Sequence, residues 1–190
     1  MFRTELWSRV WLGLGISCFC CGLAQGQPPS EYEHKVLFLE HFAHYTDWPK
    51  NGVPGDDKTF VIGVLGPDPF GAHLKKLTEV QKKKVVIKLF ASINDYEPCH
   101  LLFISREKVG KEGAEERLAS AQAKTEGKPV LILGDQEGLA EKGAVASLYL
   151  NEANKVRFEV NRASAKRAGL TLSANHILRH AKIIGDAKEK

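Results

Sequence analysis

The residues best suited to chemistry in this sequence are basic side chains near the C-terminus. Between positions 155 and 185 guanidinium and imidazole groups lie beside two predicted helix starts, and the principal ones are Arg162, Arg167, His176 and Arg179. A helix N-terminus presents free N–H groups and a partial positive charge, so this combination could hold an anion. The alternative is a solvated basic face around two helix caps. Both interpretations stay open at the level of sequence.

Motifs of familiar enzyme classes are missing from the chain. It contains no G-x-S-x-G nucleophile elbow, no Walker phosphate-binding loop and no H-E-x-x-H zinc motif. His176 and His180 stand four residues apart, a spacing that can share a metal ion, but no third ligand lies near them in sequence. The acidic pairs Asp56-Asp57 and Glu115-Glu116 are more typical of solvation than of acid–base catalysis. We therefore predict a protein that is not an enzyme and that uses no metal or cofactor.

A strand and two helices are predicted to carry the basic cluster. Apolar residues alternate with charged ones over 156–160, which indicates a strand with one solvent-exposed face. Asn161 is placed to cap a short helix over 162–168, and Gly169 would end that helix in the left-handed conformation. Ser173 is predicted to cap a last helix, whose apolar face would be formed by Ala174, Ile177, Ala181 and Ile184.

The rest of the chain alternates between helix and strand patterns. An amphipathic helix is expected over 33–45, and it must end near Trp48-Pro49 because the residue before a proline avoids the α region. Trp48 would then be either a lid on the core or a stacking platform for a ligand. The apolar run Phe60–Leu65 is typical of a strand buried on both faces, and the Gly/Pro loop that follows it lies where open α/β sheets bind ligands.

Further strands are expected over 85–90, 100–104, 129–133 and 144–150, with helices over 73–80 and 110–125. This order predicts an α/β fold: a mixed, partly parallel sheet covered by helices on both faces, in three layers.

The N-terminal segment has the features of a secretory signal. Arg3 and Arg9 bracket a charged region, and the apolar run Val10–Leu23 is too short to span a bilayer as a helix. Residues 24–26 read Ala-Gln-Gly, a small-x-small cleavage pattern. We predict a signal peptide over 1–26, a single domain over 30–185 and a charged tail over 186–190.

Cleavage would leave one cysteine and a mild net charge. Three of the four cysteines lie in the predicted signal, so the mature chain keeps only Cys99 and can form no internal disulfide. Cys99 precedes an apolar run and is interpreted as a small buried residue. Loss of Arg3, Arg9 and Glu5 lowers the net charge from +4 to +3. This charge is too low to indicate bulk binding of nucleic acid.

Three stretches of the chain together resemble one family. They are Tyr45–Pro49, Phe60–Gly71 and Val156–Ile184, with Cys99 between them. The combination is similar to the YfiR-like family of exported regulators and covers nearly all of the mature chain. The resemblance implies a periplasmic protein that binds and represses an inner-membrane signalling enzyme. That partner would be a diguanylate cyclase or a histidine kinase. With a diguanylate cyclase as partner, the protein would control cyclic-di-GMP and biofilm formation.

The resemblance also implies a homodimer and a small ligand, either a nucleotide monophosphate or an amino acid such as tryptophan. Carried over by position, the ligand site would comprise Trp48, Arg162, Ser173, His176 and Arg179. In the family's best-known member, the cysteine matching Cys99 forms a disulfide with a cysteine on the first strand. This chain has Val61 and Ile62 near that place, so redox control through an internal disulfide cannot operate here. The alternative function is a freestanding periplasmic protein that binds a small ligand.

Overall fold

A computed structural model describes residues 30–50 and 58–185 of the chain. The predicted signal over 1–26 and the charged tail over 186–190 lie outside the described residues. Three α-helices occur in the described part: α1 Glu31–His44, α2 Ala114–Thr125 and α3 Arg162–Arg167. Its ten strands are β1 Thr46–Asp47, β2 Thr59–Leu65, β3 Glu79–Val80, β4 Lys83–Phe90, β5 Leu101–Ile104, β6 Leu131–Gly134, β7 Ala146–Leu150, β8 Val156–Asn161, β9 Thr171–Leu172 and β10 Lys182–Ile184.

Eight of these strands form one mixed sheet, in the order β10-β8-β7-β6-β5-β2-β4-β3. The block from β4 through β2, β5 and β6 to β7 is parallel. β3 pairs antiparallel with β4, and β8 pairs antiparallel with β7. The remaining strands, β1 and β9, form a separate two-stranded antiparallel sheet. The prediction of a mixed, partly parallel α/β sheet is confirmed.

Helices cover both faces of the large sheet. Phe60, Ile62 and Val64 of β2 belong to the same buried cluster as the inner face of α1. Val61 and Leu65 belong to a second cluster with the inner face of α2. Successive side chains of a strand point to opposite faces, so the two helices must lie on opposite sides. This burial on both faces explains why β2 is a continuous apolar run.

Local capping signals determine the ends of two helices. Ser30 Oγ accepts a hydrogen bond from the Glu33 N–H at 3.2 Å, so α1 begins at Glu31. Asn161 Oδ1 accepts from the Ser164 N–H at 2.9 Å and caps α3 as predicted. Gly169 follows α3 with a φ of 68°, the left-handed conformation expected of it.

The predicted C-terminal helix after Ser173 is wrong. Residues 173–177 form turns in which the Ile177 N–H donates to the Ser173 carbonyl at 3.0 Å, and a short 3-10 segment follows at Leu178–His180. The chain then becomes extended and β10 pairs in parallel with β8. β-branched residues such as those at 183 and 184 lose side-chain freedom in a helix but fit a strand, and the exposed edge of β8 supplies the backbone partners.

Two other predicted boundaries also shift. The helix predicted over 73–80 is only a 3-10 turn at Leu74–Lys76 followed by β3, and α2 begins at Ala114 instead of residue 110. The interpretation of Cys99 as a buried residue is confirmed, since it is fully buried and its burial raises the pKa of its thiol to about 12. In the described part of the chain, no helix combines the length and apolar character needed to cross a bilayer.

Candidate functional site

A groove of about 530 Å³ lies between α1 and the C-terminal segment. We call it the histidine groove, and it is lined by His34, Leu37, Phe38, His41, Val156, Arg157, Phe158, His176 and His180. Its volume is in the range of sites that bind small organic molecules. Of the five site residues implied by the family resemblance, His176 lines this groove.

The floor of the groove follows from helix and strand periodicity. Residues 34, 37, 38 and 41 recur at helical spacing, so their side chains form one stripe along α1. The Phe38 and Phe42 rings pack on Phe158 of β8, with centroid distances of 5.5 and 5.4 Å. Leu37 at the rim has 58% of its surface exposed. The groove therefore has an aromatic floor and an exposed apolar edge.

One wall of the groove is formed by His176, which is held on three sides. Its ring stacks on Tyr45 with a centroid distance of 4.0 Å and an interplanar angle of 4°. Its Nδ1 lies 3.0 Å from Ser173 Oγ. Its carbonyl oxygen lies 2.8 Å from His41 Nε2, which must carry a proton because a carbonyl can only accept. The imidazole plane of His176 is thus fixed before any ligand binds.

The groove combines this aromatic surface with cationic capacity. Arg157 of β8 contributes a guanidinium group, which is charged at every physiological pH. Of the lining histidines, His34, His176 and His180 can each offer a ring nitrogen as a hydrogen-bond donor, whereas His41 already donates to the His176 carbonyl. An arrangement of this kind can stack a planar group against histidine and phenylalanine rings while a carboxylate or phosphate on the same ligand meets the guanidinium.

The five site residues implied by the resemblance do not come together. Ser173 contacts His176, but Arg162 lines a separate cavity of about 170 Å³ between α3 and β9. Arg179 is exposed and is absent from the described lining of both cavities. The Trp48 ring packs against Phe60 and His100 instead, with centroid distances of 5.3 and 6.2 Å.

Trp48 is a lid on the core, and buried polar groups surround it. Trp48 Nε1, His100 Nε2 and Thr46 Oγ1 have no hydrogen-bond partner among the described residues. His100 Nδ1 accepts from the Val61 N–H at 3.0 Å, so its proton lies on Nε2. Burial lowers the pKa of His100 to about 4, which keeps the ring neutral. Trp48 and His100 therefore each carry a buried N–H donor that has no acceptor among the described residues. Sequence reasoning missed His100, although its place directly before a buried strand was a signal.

His100 lies directly before β5, whereas a second polar cluster lies at the other, carboxyl ends of β5 and β6. Lys35 Nζ bonds Asp135 Oδ1 and Glu31 Oε1, each at 2.5 Å, and the Tyr32 hydroxyl donates to Asp135 Oδ2 at 3.1 Å. Arg106 donates twice to the Glu31 carboxylate at 2.9 Å. Burial raises the pKa of Asp135, while its ammonium partner acts in the opposite direction. Every charge in this cluster has a partner, so it braces α1 against the sheet.

The described histidines, cysteine and carboxylates do not assemble into a metal centre. Across residues 30–50 and 58–185, no group of three or more such side chains is arranged to hold a metal ion.

Comparison with known proteins gives one family and a set of structures of similar fold. The sequence model of a family described as YfiR/HmsC-like matches residues 32–182. No curated protein matches the chain.

Two solved structures share the fold. A conserved domain protein from Vibrio cholerae O1 biovar El Tor str. N16961 is 15% identical with a TM-score of 0.52, over 81% of this chain and 60% of that one. An ABC domain in complex with L-Trp from Streptococcus pneumoniae is 12% identical with a TM-score of 0.52, over 81% and 62%. This chain thus spans less than two thirds of each structure, and at such identities the likeness concerns the fold alone.

Proposed function

This chain belongs to the YfiR/HmsC-like family, and from that premise we propose that it is an exported, non-enzymatic regulator of a membrane diguanylate cyclase. The family comprises periplasmic regulators of such enzymes. The observation that carries the proposal is the family match over residues 32–182, which spans α1 through the start of β10. In this proposal the protein binds the periplasmic region of the cyclase, represses cyclic-di-GMP synthesis and thereby limits biofilm formation.

Capture of the partner from membranes tests this function. The domain starting at Gln27 is immobilised and incubated with solubilised inner membranes, and the retained proteins are identified. We expect a diguanylate cyclase to be retained and its product formation to fall when the domain is added. Retention of a histidine kinase in its place would transfer the proposal to kinase signalling, and retention of neither would refute it.

Export is the second part of the proposal. It rests on the charged start, the short apolar run and the Ala24–Gly26 pattern. The intact mass of the protein from a periplasmic fraction should correspond to a chain that lacks Met1–Gly26. A full-length product in the cytoplasm would contradict both the location and the repressor function.

The histidine groove supports a second candidate function, that of a freestanding protein that binds a small ligand. Its aromatic floor and fixed His176 suit a planar ligand that carries an anionic group. L-tryptophan is one natural probe, because a domain of similar fold was solved in complex with it. Guanosine monophosphate is the other, because the family resemblance implies a nucleotide monophosphate.

Calorimetric titration of both probes distinguishes between the possible sites. We expect His176→Ala to weaken binding roughly tenfold or more, since it removes the stacking wall. Arg179→Ala provides a matched control from the same segment and should stay within about twofold of the wild type. The opposite outcome, in which only Arg179→Ala weakens binding, would move the site from the groove to the exposed basic face. Ligand binding without any retained cyclase would favour the second function over the first.

A further inference from the structure

Arg117 of α2 is a buried arginine that has no role in the proposed regulatory function. Only 1% of its surface is exposed, and it is among the largest fully buried side chains of the protein. One guanidinium nitrogen, Nη2, donates to the Glu107 carbonyl. The other two, Nε and Nη1, are buried and have no hydrogen-bond partner in the described part of the chain.

The guanidinium lies in a corner formed by three elements. β2 and β5 run parallel, with Leu65 beside Ile104, and both end at this corner. Gly66 follows β2 with a φ of 94°, and a Cβ at this position would lie 2.7 Å from Arg117 Nε. Only glycine therefore lets the backbone lie flat against the guanidinium. Ligands of open α/β sheets bind at these carboxyl ends of the strands.

The electrostatics of the corner favour an anion. Arginine remains protonated in proteins, and a buried charge without a counter-ion is costly. No carboxylate of the described residues lies within ion-pair distance of Arg117, since its neighbour Glu116 is exposed and bonds the Gly113 N–H at 2.9 Å. The 12-residue helix α2 also begins here, which adds the partial positive charge of its N-terminus.

We propose that Arg117 forms the base of a binding site for a small oxyanion, a carboxylate or a phosphate, at the carboxyl ends of β2 and β5. Residues 106–111 form an exposed loop with a bridge between Val109 and Glu112, and the Glu107 carbonyl of this loop is the group that holds Nη2. The anion enters when this loop shifts and the Glu107 carbonyl releases Nη2. The site is independent of the histidine groove and of the cyclase, so it stands or falls separately from the proposed regulatory function.

Thermal unfolding with added anions tests the site. Sodium phosphate and sodium acetate are compared with sodium chloride at matched ionic strength, so that general screening is subtracted. We expect phosphate or acetate to raise the melting temperature of the wild-type protein above the chloride value. Arg117→Met should abolish that increment, while Arg179→Met, the same change at an exposed arginine, should keep it. No increment in the wild type, or an equal increment in Arg117→Met, would overturn the proposal.

A spectroscopic measurement keeps the proposal testable if Arg117→Met does not fold. The Nε–H resonance of Arg117 in the wild-type protein should shift on titration with phosphate and saturate, because that group gains an acceptor. Arg117→Lys keeps a charge but loses the planar guanidinium, and its phosphate affinity should fall roughly tenfold or more. An Nε–H resonance that does not respond to phosphate or acetate would refute the site.

Discussion

Replacement of Lys35 by methionine should destabilise this fold strongly. Lys35 and Asp135 are both fully buried and their charged atoms lie 2.5 Å apart. The substitution preserves most of the side-chain volume but leaves Asp135 Oδ1 without its ammonium partner, with only the Tyr32 hydroxyl and the Arg106 N–H still bonded to Oδ2. Loss of one partner of a buried ion pair costs about 3–5 kcal/mol of unfolding free energy.

Removal of both charges should cost much less stability than the sum of the two single changes. In Lys35→Met/Asp135→Asn no buried charge remains, and the Glu31–Arg106 pair can persist at the surface. We expect a loss of about 1–2 kcal/mol in the double variant, so that the coupling energy between the two positions exceeds about 2 kcal/mol.

Urea unfolding at neutral pH measures these differences. In the chain that begins at Gln27, Trp48 is the sole tryptophan, and its contacts with Phe60 and His100 make its fluorescence a reporter of core packing. Lys76→Met is the matched control, because Lys76 pairs with Glu33 at the surface. This variant should lose less than about 1 kcal/mol of unfolding free energy. The reasoning fails if Lys35→Met behaves like this control, or if the two single effects simply add in the double variant.

Three further outcomes follow from buried groups. The pKa of His100 falls from 6.5 to about 4 on folding, so the unfolded chain takes up a proton first and stability present above pH 6.5 is lost as the pH falls towards 4. The loss should be about 1–2 kcal/mol after allowance for partial solvation, and His100→Gln should flatten the pH profile; an unchanged profile would contradict this assignment. Gly63→Ala should lower the free energy of unfolding by about 1–3 kcal/mol through overpacking, and with it the urea midpoint, since its Cβ would lie 2.6 Å from Phe90 Cε2; a higher midpoint would show that the core relaxes easily. Reductant should leave the melting temperature unchanged because Cys99 is fully buried, and a marked drop would reveal a disulfide between chains.

Local physics explains what the sequence predicted correctly. The run at β2 is apolar because both faces of that strand are covered, and this needs no knowledge of its neighbours. Asn161 and Gly169 act on their own backbone and their immediate neighbours, so the ends of α3 could be placed within a residue.

Distant partners explain what the sequence did not predict. Residues 174, 177, 181 and 184 fit a helical stripe, but the open edge of β8 offers residues 182–184 a ladder of backbone hydrogen bonds. No pattern within the segment reveals that edge. Lys35 reads as a solvated lysine because its partner Asp135 lies 100 positions away.

Distant contacts also explain why the fold separates the site residues that the family resemblance implies. Four of these five residues lie between positions 162 and 179, yet Arg162 lines a separate cavity while His176 faces the helix α1. The fifth, Trp48, packs inward on His100. The groove residues His34, Leu37 and His41 precede His176 by more than 130 positions, so only the tertiary fold brings them together.

The packing of α1 on β8 also governs the timing of folding. The helix α1 finds its aromatic partner Phe158 and its charge partner Asp135 only after most of the chain has left the ribosome. Contacts of such long sequence separation form slowly, because the intervening loop must close before they stabilise anything. A nascent chain that has not reached β8 leaves the apolar stripe of α1 without its partner, and so leaves it accessible to chaperones.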